Sequence, residues 1–259
     1  MKITPETIEH VVQEGKKIKL ELFQKLCEVQ EGHPGSILSI FDVVNALYLS
    51  GQIRVELGAN ANDAFIMSKG HAAAVQYPYL VRKGLIPQKE WDQWGSGESI
   101  LRVFANKDIP GIDVTSGSLG HGIGIAAGMS LANRMNQTTS DTYVVISEGE
   151  LYEGSTWEAL LFVSHHNLND VKIILDVNKN MILGRPEDCL RLESIDEKFK
   201  SFDFEFMRID GHSYPDIFDG LAFLADAEKK PRVLIADTIK GKGASFMEDR
   251  AESHYWGAL

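Results

Sequence analysis

Two short segments, Ser147-Glu148-Gly149-Glu150-Leu151-Tyr152-Glu153-Gly154 and Asp176-Val177-Asn178-Lys179-Asn180, are rich in carboxylate and amide oxygens. Hard divalent cations take such oxygens together with phosphate oxygens. The pair could therefore hold a magnesium, calcium or manganese ion against a diphosphate. On that reading Glu148, Asn178 and the backbone carbonyl of Asn180 are the cation ligands. Asp, Asn and Gly are also ordinary turn residues at strand ends, so the two segments alone leave a plain capping role equally open.

The elements that must position them are legible. Residues 142–146 and 171–175 are short, apolar and rich in β-branched side chains, as buried strands are. Between them, residues 155–167 repeat apolar positions at helical spacing, with Trp157, Leu160, Leu161 and Val163 or Ser164 toward one side. Strand, helix and strand in this order make a parallel pair. Ligands collect at the carboxyl ends of parallel strands, which would bring Glu148 and Asn178 together. Elsewhere, Thr4 followed by Pro5 predicts a helix start, continuing to about residue 29. Helices are expected at 39–49, 72–82 and 214–227, and strands at 64–67, 205–209 and 232–236. The alternation predicts an α/β fold, a parallel sheet with helices on both faces. A chain of 259 residues, 44% hydrophobic, suits one domain over residues 1–259.

Residues 145–184 resemble the thiamine-diphosphate signature of the transketolase family in Gly149-Glu150-Leu151, Glu153-Gly154-Ser155, Trp157-Glu158-Ala159, His165-His166, Asp176 and Asn178. Three more motifs follow the family's order. Glu31-Gly32-His33-Pro34-Gly35 resembles G-H-P-G, and Ser68-Lys69-Gly70-His71 resembles S-x-G-H. Thr115-Ser116-Gly117-Ser118-Leu119-Gly120-His121-Gly122 resembles T-x-G-x-L-G-Q-G, a glycine-rich turn opening a helix, where backbone amides suit an anion. Thr238-Ile239-Lys240-Gly241-Lys242-Gly243 is similar to a further family segment. Taken alone, its lysine pair reads as a solvated turn. The match runs from about residue 20 to 247.

The resemblance implies a thiamine-diphosphate-binding fold of the diphosphate-holding type and a ketol transfer from a ketose to an aldehyde. It implies that Glu148, Asn178 and the Asn180 carbonyl hold the metal. His71, Ser118, Leu119, Gly120, His121, Gly149, Glu150 and Asn178 approach the cofactor, and His33 and His254 face the reacting sugar. Glu153 matches a glutamate that lies between paired active sites and relays a proton, so a burial-driven pKa shift is expected there. Full-length transketolases continue into a pyrimidine-binding domain and a third domain. The resemblance therefore implies a split enzyme, completed by a C-terminal subunit with the pyrimidine-binding domain, two copies of each. The first subunit of a 2-oxo acid dehydrogenase or decarboxylase and a non-catalytic scaffold are the rival expectations.

Three departures stand out. Glu148 replaces the family's aspartate, and its extra methylene moves the carboxylate outward by about 1.5 Å. Arg102-Val103-Phe104 stands where sugar transketolases carry a histidine in a G-H-P turn, and His121 replaces a glutamine. His165, His166 and His212 are expected to pack or cap. The net charge of −11 argues against a nucleic-acid groove. Cys27 and Cys189 form neither a metal pattern nor a disulfide framework, and no run suits a signal peptide or membrane span. A cytoplasmic protein is expected.

Overall fold

Among the described residues five strands form one parallel sheet, apolar except at the more polar edge strand β4: β1 (Ala64–Met67), β2 (Thr142–Ser147), β3 (Val171–Val177), β4 (Glu205–Asp210) and β5 (Arg232–Asp237). The structure is a computed structural model describing residues 4–56, 62–192, 194–226 and 230–255, with the backbone alone at 252 and 253. Strand order is β1-β2-β3-β5-β4. Ile146 pairs with Leu175 and Ser147 with Asp176, so β2 and β3 end side by side.

Because strand side chains alternate, the sheet has two apolar faces. Phe65, Met67, Tyr143, Val145, Ile174, Leu234 and Ala236 belong to one; Ile66, Val144, Ile146, Ile173, Leu175, Val233 and Ile235 belong to the other. Helices α1 (Pro5–Val29) and α2 (Pro34–Leu49) cover the first face. The short α3 (Tyr77–Arg82) and α4 (Gln88–Asp92) lie on the same side. Helices α5 (Gly122–Asn136) and α6 (Gly154–His165) cover the second face. After β3 come α7 (Pro186–Cys189) and α8 (Ile195–Ser201), and α8 adds Phe199 to the second face. Between β4 and β5, α9 (Tyr214–Ala225) returns to the first.

Thr4 caps α1, its hydroxyl accepting from the Thr7 amide at 3.2 Å, with Pro5 in the first turn where no amide hydrogen is needed. Val11, Ile18, Leu22 and Leu26 form its buried stripe. Helix α2 is buried from Pro34 to Tyr48 because it lies between α1 and the sheet, which explains its all-round apolar sequence. It starts at Pro34 rather than at 39, since Pro34 serves as its first helical residue with His33 as N-cap.

Other boundaries also differ. Residues Gly70–Gln76 are a 3-10 helix, and the α-helical turns begin at Tyr77, with Pro78 in the first of them. The segment after β2 is a 3-10 turn, Glu148–Tyr152. On α6 the inward side chains are Thr156, Ala159, Leu160 and Val163, while Leu161 is exposed. Residue 227, the expected end of the last helix, lies outside the described residues. Helix α8 is an addition to the expected elements, although Ser194-Ile195-Asp196-Glu197 carries a capping pattern and the Ser194 hydroxyl accepts from the Glu197 amide.

Candidate active site

The carboxyl ends of β1, β2 and β3 open onto a cleft of about 640 Å³. Each contributes the residues just past its end. Glu148 follows β2 and is only 4% exposed. The Lys179 amide donates to its carboxylate, whereas Oε1 has no hydrogen-bond partner among the described residues. Lys179 itself takes a left-handed φ of 58°, the tight backbone that turns its amide back toward β2. Asn178 and Asn180 follow β3, and the Asn178 Oδ1 accepts from the Asn180 amide at 3.2 Å. Burial, with Asp176 repelling it, pushes the Glu148 carboxyl up to about 7. A buried, unpartnered carboxylate oxygen beside two amide-bearing residues is a donor set that fits a hard cation. Among the described residues no three His, Cys, Asp or Glu side chains gather as a metal cage. A cation here would thus draw on the single Glu148 carboxylate together with amide, carbonyl and phosphate oxygens.

Beneath the cleft lies a fully buried ion pair. The Lys69 ammonium donates to Asp176, and to the Ser36 carbonyl at 3.1 Å. Asp176 also accepts from Ser39 at 2.7 Å and from Thr238. This node ties α2, β1, β3 and β5 together at the floor. Lys240, also fully buried, donates to the Asn180 carbonyl at 3.2 Å and lies 3.4 Å from His254 Nδ1.

Above the lysines stand three imidazoles. The His33 ring lies 5.0 Å from His71 and 5.0 Å from His254, with Phe104 at 5.6 Å and Tyr255 at 5.2 Å. His33 Nδ1 has no hydrogen-bond partner among the described residues. Burial first, then the charges of Lys240 and Lys69, hold His33 down at about 4. Burial, Lys240 and His33 bring His254 to about 4 as well, and burial followed by Lys69 keeps His71 well below its ordinary value. All three rings are neutral at pH 7.

A pH dependence follows. The unfolded chain protonates these rings below about 6.5, while His33 and His254 in the folded chain resist protonation until about 4. Their contribution is intact above 6.5 and is lost as pH falls from 6.5 toward 4. Glu148, raised to about 7 from 4.5, works in the opposite sense, its ionisation costing stability as pH rises through that window. The histidine share is isolated by comparison: the urea midpoint should fall less between pH 7.5 and 5 in His33→Asn/His254→Asn than in the parent. Equal falls would contradict it.

The glycine-rich turn is locked against the same strand ends. Glu150 is fully buried, and its Oε1 accepts from Ser68 and from the Gly120 amide at 3.0 Å. Its Oε2 accepts from the Ser147 amide at 2.9 Å. Gly120 takes φ +82°, and a Cβ there would fall 2.5 Å from that of Glu153; one on Gly122 would fall 2.3 Å from Ser68. Glycine is required at both positions.

The family described as "Transketolase, thiamine diphosphate binding domain" matches residues 12–258. The chain belongs to that family. It is 34% identical over 253 residues to an apulose-4-phosphate transketolase subunit of Phocaeicola vulgatus, covering 96% of this chain and 89% of the relative. It is also 34% identical over 251 residues to a 6-deoxy-6-sulfo-D-fructose transketolase subunit from a Clostridium species, covering 95% and 90%. Transketolase from Leishmania mexicana superposes with a TM-score of 0.88 at 24% identity, over 97% of this chain and 39% of that one, which establishes the fold. The chain thus spans about two fifths of that solved transketolase.

Within this transketolase domain, the expected site residues fall into two groups. His33, His71, Leu119, Glu148, Gly149, Glu153, Asn178, Asn180 and His254 line the cleft. Ser118 and His121 are exposed and do not line it, because the turn rolls outward before α5 begins. Gly120 is buried against Glu153 and Ser155. Glu150 does not line the cleft either: its buried carboxylate fastens Ser68, Gly120 and Ser147. Glu153 is exposed at the rim, so the burial expected to shift it is not supplied by this chain. The reading of the 240s as a solvated turn is overturned for Lys240, and Lys69 proves to be the cation at the floor. The Ser147-x-x-Glu150 capping box could have revealed the tie made by Glu150; no local signal marks Lys240. Of Arg102 and Phe104, only Phe104 reaches the cleft; the Arg102 guanidinium binds the Ser99 and Leu101 carbonyls. At the end of α6 the half-buried His166 ring packs against Phe162, as expected, while His165 is exposed and meets His166 edge-on.

Proposed function

We propose that this chain is the diphosphate-holding subunit of a two-subunit transketolase that moves a two-carbon ketol unit from a ketose to an aldehyde. The observation that carries the reading is the unpartnered Glu148 oxygen buried beside Asn178 at the strand ends. Glu148, Asn178 and the Asn180 carbonyl would hold magnesium, or calcium or manganese, and through it a diphosphate. Thiamine diphosphate, when bound, supplies the carbon nucleophile and the electron sink. The chain supplies the surroundings. Buried Lys240 places a positive charge beside the cleft, whereas the charge of Lys69 is balanced by Asp176. The neutral rings of His33, His71 and His254 can donate or accept hydrogen bonds at diphosphate and sugar oxygens. Phe104 and Leu119 give the cleft an apolar stretch of wall.

The remaining parts of the proposal concern company and setting. The two relatives named as subunits support a partner chain, here a C-terminal subunit carrying the pyrimidine-binding domain, assembled two and two. Exposed Glu153 would then acquire its burial from a neighbouring chain, and the exposed Leu161 and Phe162 of α6 suit such contact. Both relatives are named for ketoses with a phosphate or sulfonate, so the donor proposed is a ketose with an anionic end. No described helix is long and apolar enough to cross a membrane. With its free Cys27 and Cys189 the chain is proposed to work as one domain in the cytoplasm, away from membranes and nucleic acid.

Asn178→Ala tests the reading. It should weaken thiamine diphosphate binding at fixed magnesium by about tenfold in calorimetry, with the circular dichroism unchanged. Unaltered affinity would defeat the ligand assignment.

A further inference from the structure

His212, in the turn between β4 and α9, makes two contacts that together fix its chemical form. Its Nε2 accepts from the Ile239 amide at 2.8 Å, so that nitrogen carries no proton. Its Nδ1 lies 2.8 Å from Asp42 Oδ2 and must therefore be the donor. Asp42, on α2, is held in turn by Lys19 of α1 at 2.8 Å, while the Tyr214 hydroxyl lies at 3.4 Å. Burial pushes the Asp42 carboxyl up, but the bond from His212 and the Lys19 charge outweigh it and leave it below its usual range.

What the ring holds matters more than what holds the ring. Ile239 sits between Thr238 and Lys240. Thr238 donates to Asp176 on the cleft floor, and Lys240 donates to the Asn180 carbonyl beside His254. The backbone on either side of Ile239 is tied as well, Thr238 N to the Val177 carbonyl at 3.0 Å and Gly241 N to the Gly35 carbonyl at 2.9 Å. The Ile239 amide is thus the middle fastening of the strand-end loop, and a side chain makes it. The turn is built for close approach: a Cβ on Gly211 would fall 2.5 Å from Thr238.

We propose that His212 is a positioning residue for the cofactor site: as the Nδ1-protonated neutral tautomer fixed by Asp42, it clips the Ile239 amide and so sets Lys240 against the Asn180 carbonyl. The clip acts from outside the cleft, since His212 does not line it. This inference rests on the proposed function for its ligand, but not for its geometry.

The test separates the two halves of the ring. In His212→Gln the side-chain oxygen replaces the Nε2 acceptor; in His212→Asn the amide nitrogen replaces the Nδ1 donor and the acceptor is lost. Hydrogen exchange in the full-length chain should show the Ile239 and Lys240 amides protected in the parent and in His212→Gln, and exposed in His212→Asn. Thiamine diphosphate with magnesium should bind His212→Asn about tenfold more weakly, with His212→Gln near the parent. Protection of these amides in His212→Asn, or equal affinities for the two variants, would overturn the proposal. If the parent binds no thiamine diphosphate, the functional reading fails while the exchange result still decides the clip. Nitrogen-15 shifts of the parent's His212 provide a readout free of any folding defect. The Nε2-protonated or doubly protonated form at pH 7.5 would equally refute the assignment.

Discussion

Glu148→Gln should reduce magnesium-supported thiamine diphosphate binding at least about a hundredfold, at the upper end of the roughly 10–100-fold that supporting residues around a metal contribute. The substitution keeps size and shape but removes the charge facing the cation. Its effect on the ligand-free protein should have the opposite sign. With its carboxyl pushed up to about 7 by burial and by Asp176, Glu148 costs the fold stability when ionised at pH 8. The uncharged amide escapes that cost. Thermal unfolding at pH 8 without cation should therefore show Glu148→Gln equal to or above the parent, with the added stabilisation from cofactor and magnesium lost. A variant that binds normally, or melts well below the parent when ligand-free, would remove Glu148 from the cation site.

Lys69→Met should destabilise the chain by roughly 3–5 kcal/mol, the cost of stranding one member of a buried ion pair. Asp176 would keep the Ser39 and Thr238 hydroxyls but lose the ammonium that balances its charge, at a position closed to water. Lys69→Met/Asp176→Asn should recover most of that loss, because the amide oxygen accepts from one hydroxyl, its NH2 donates to the oxygen of the other, and no charge is left buried. A denaturation cycle over the four proteins measures the coupling. Additive effects would mean that the pair does not function as a unit.

The difference between what the sequence disclosed and what it hid has a physical basis. Strand runs such as 142–146 and 171–175 declare themselves by composition, and the cleft follows from parallel pairing, so Glu148 and Asn178 could be expected to meet. The helix that starts at Pro34 is obscured in the sequence because His33-Pro34-Gly35 reads as a turn until the chain after it is seen to be helical without interruption. Glu148 and Glu150 are two acids two positions apart in one turn, and composition does not distinguish their roles. The 3-10 geometry of that turn does, sending Glu150 inward to three donors and leaving Glu148 at the cleft. Lys240 is illegible for a different reason. Its burial depends on β5 lying next to β3 and on the Gly241 amide reaching Gly35 of α2, contacts between distant parts of the sequence. Ser118 and His121 sit within a family motif, yet the local path of the backbone directs them away from the cleft.

The three-way grip of Glu150 bears on how the active enzyme comes together. Loops after β1 and β2 and the turn ahead of α5 are joined at one carboxylate within this polypeptide, before any vitamin or second chain arrives. The entropy of ordering them is lost during folding rather than during capture, so association need not spend its contacts on arranging the diphosphate end. In the two-subunit enzyme proposed above, this chain would meet its partner with the diphosphate end already in its working shape.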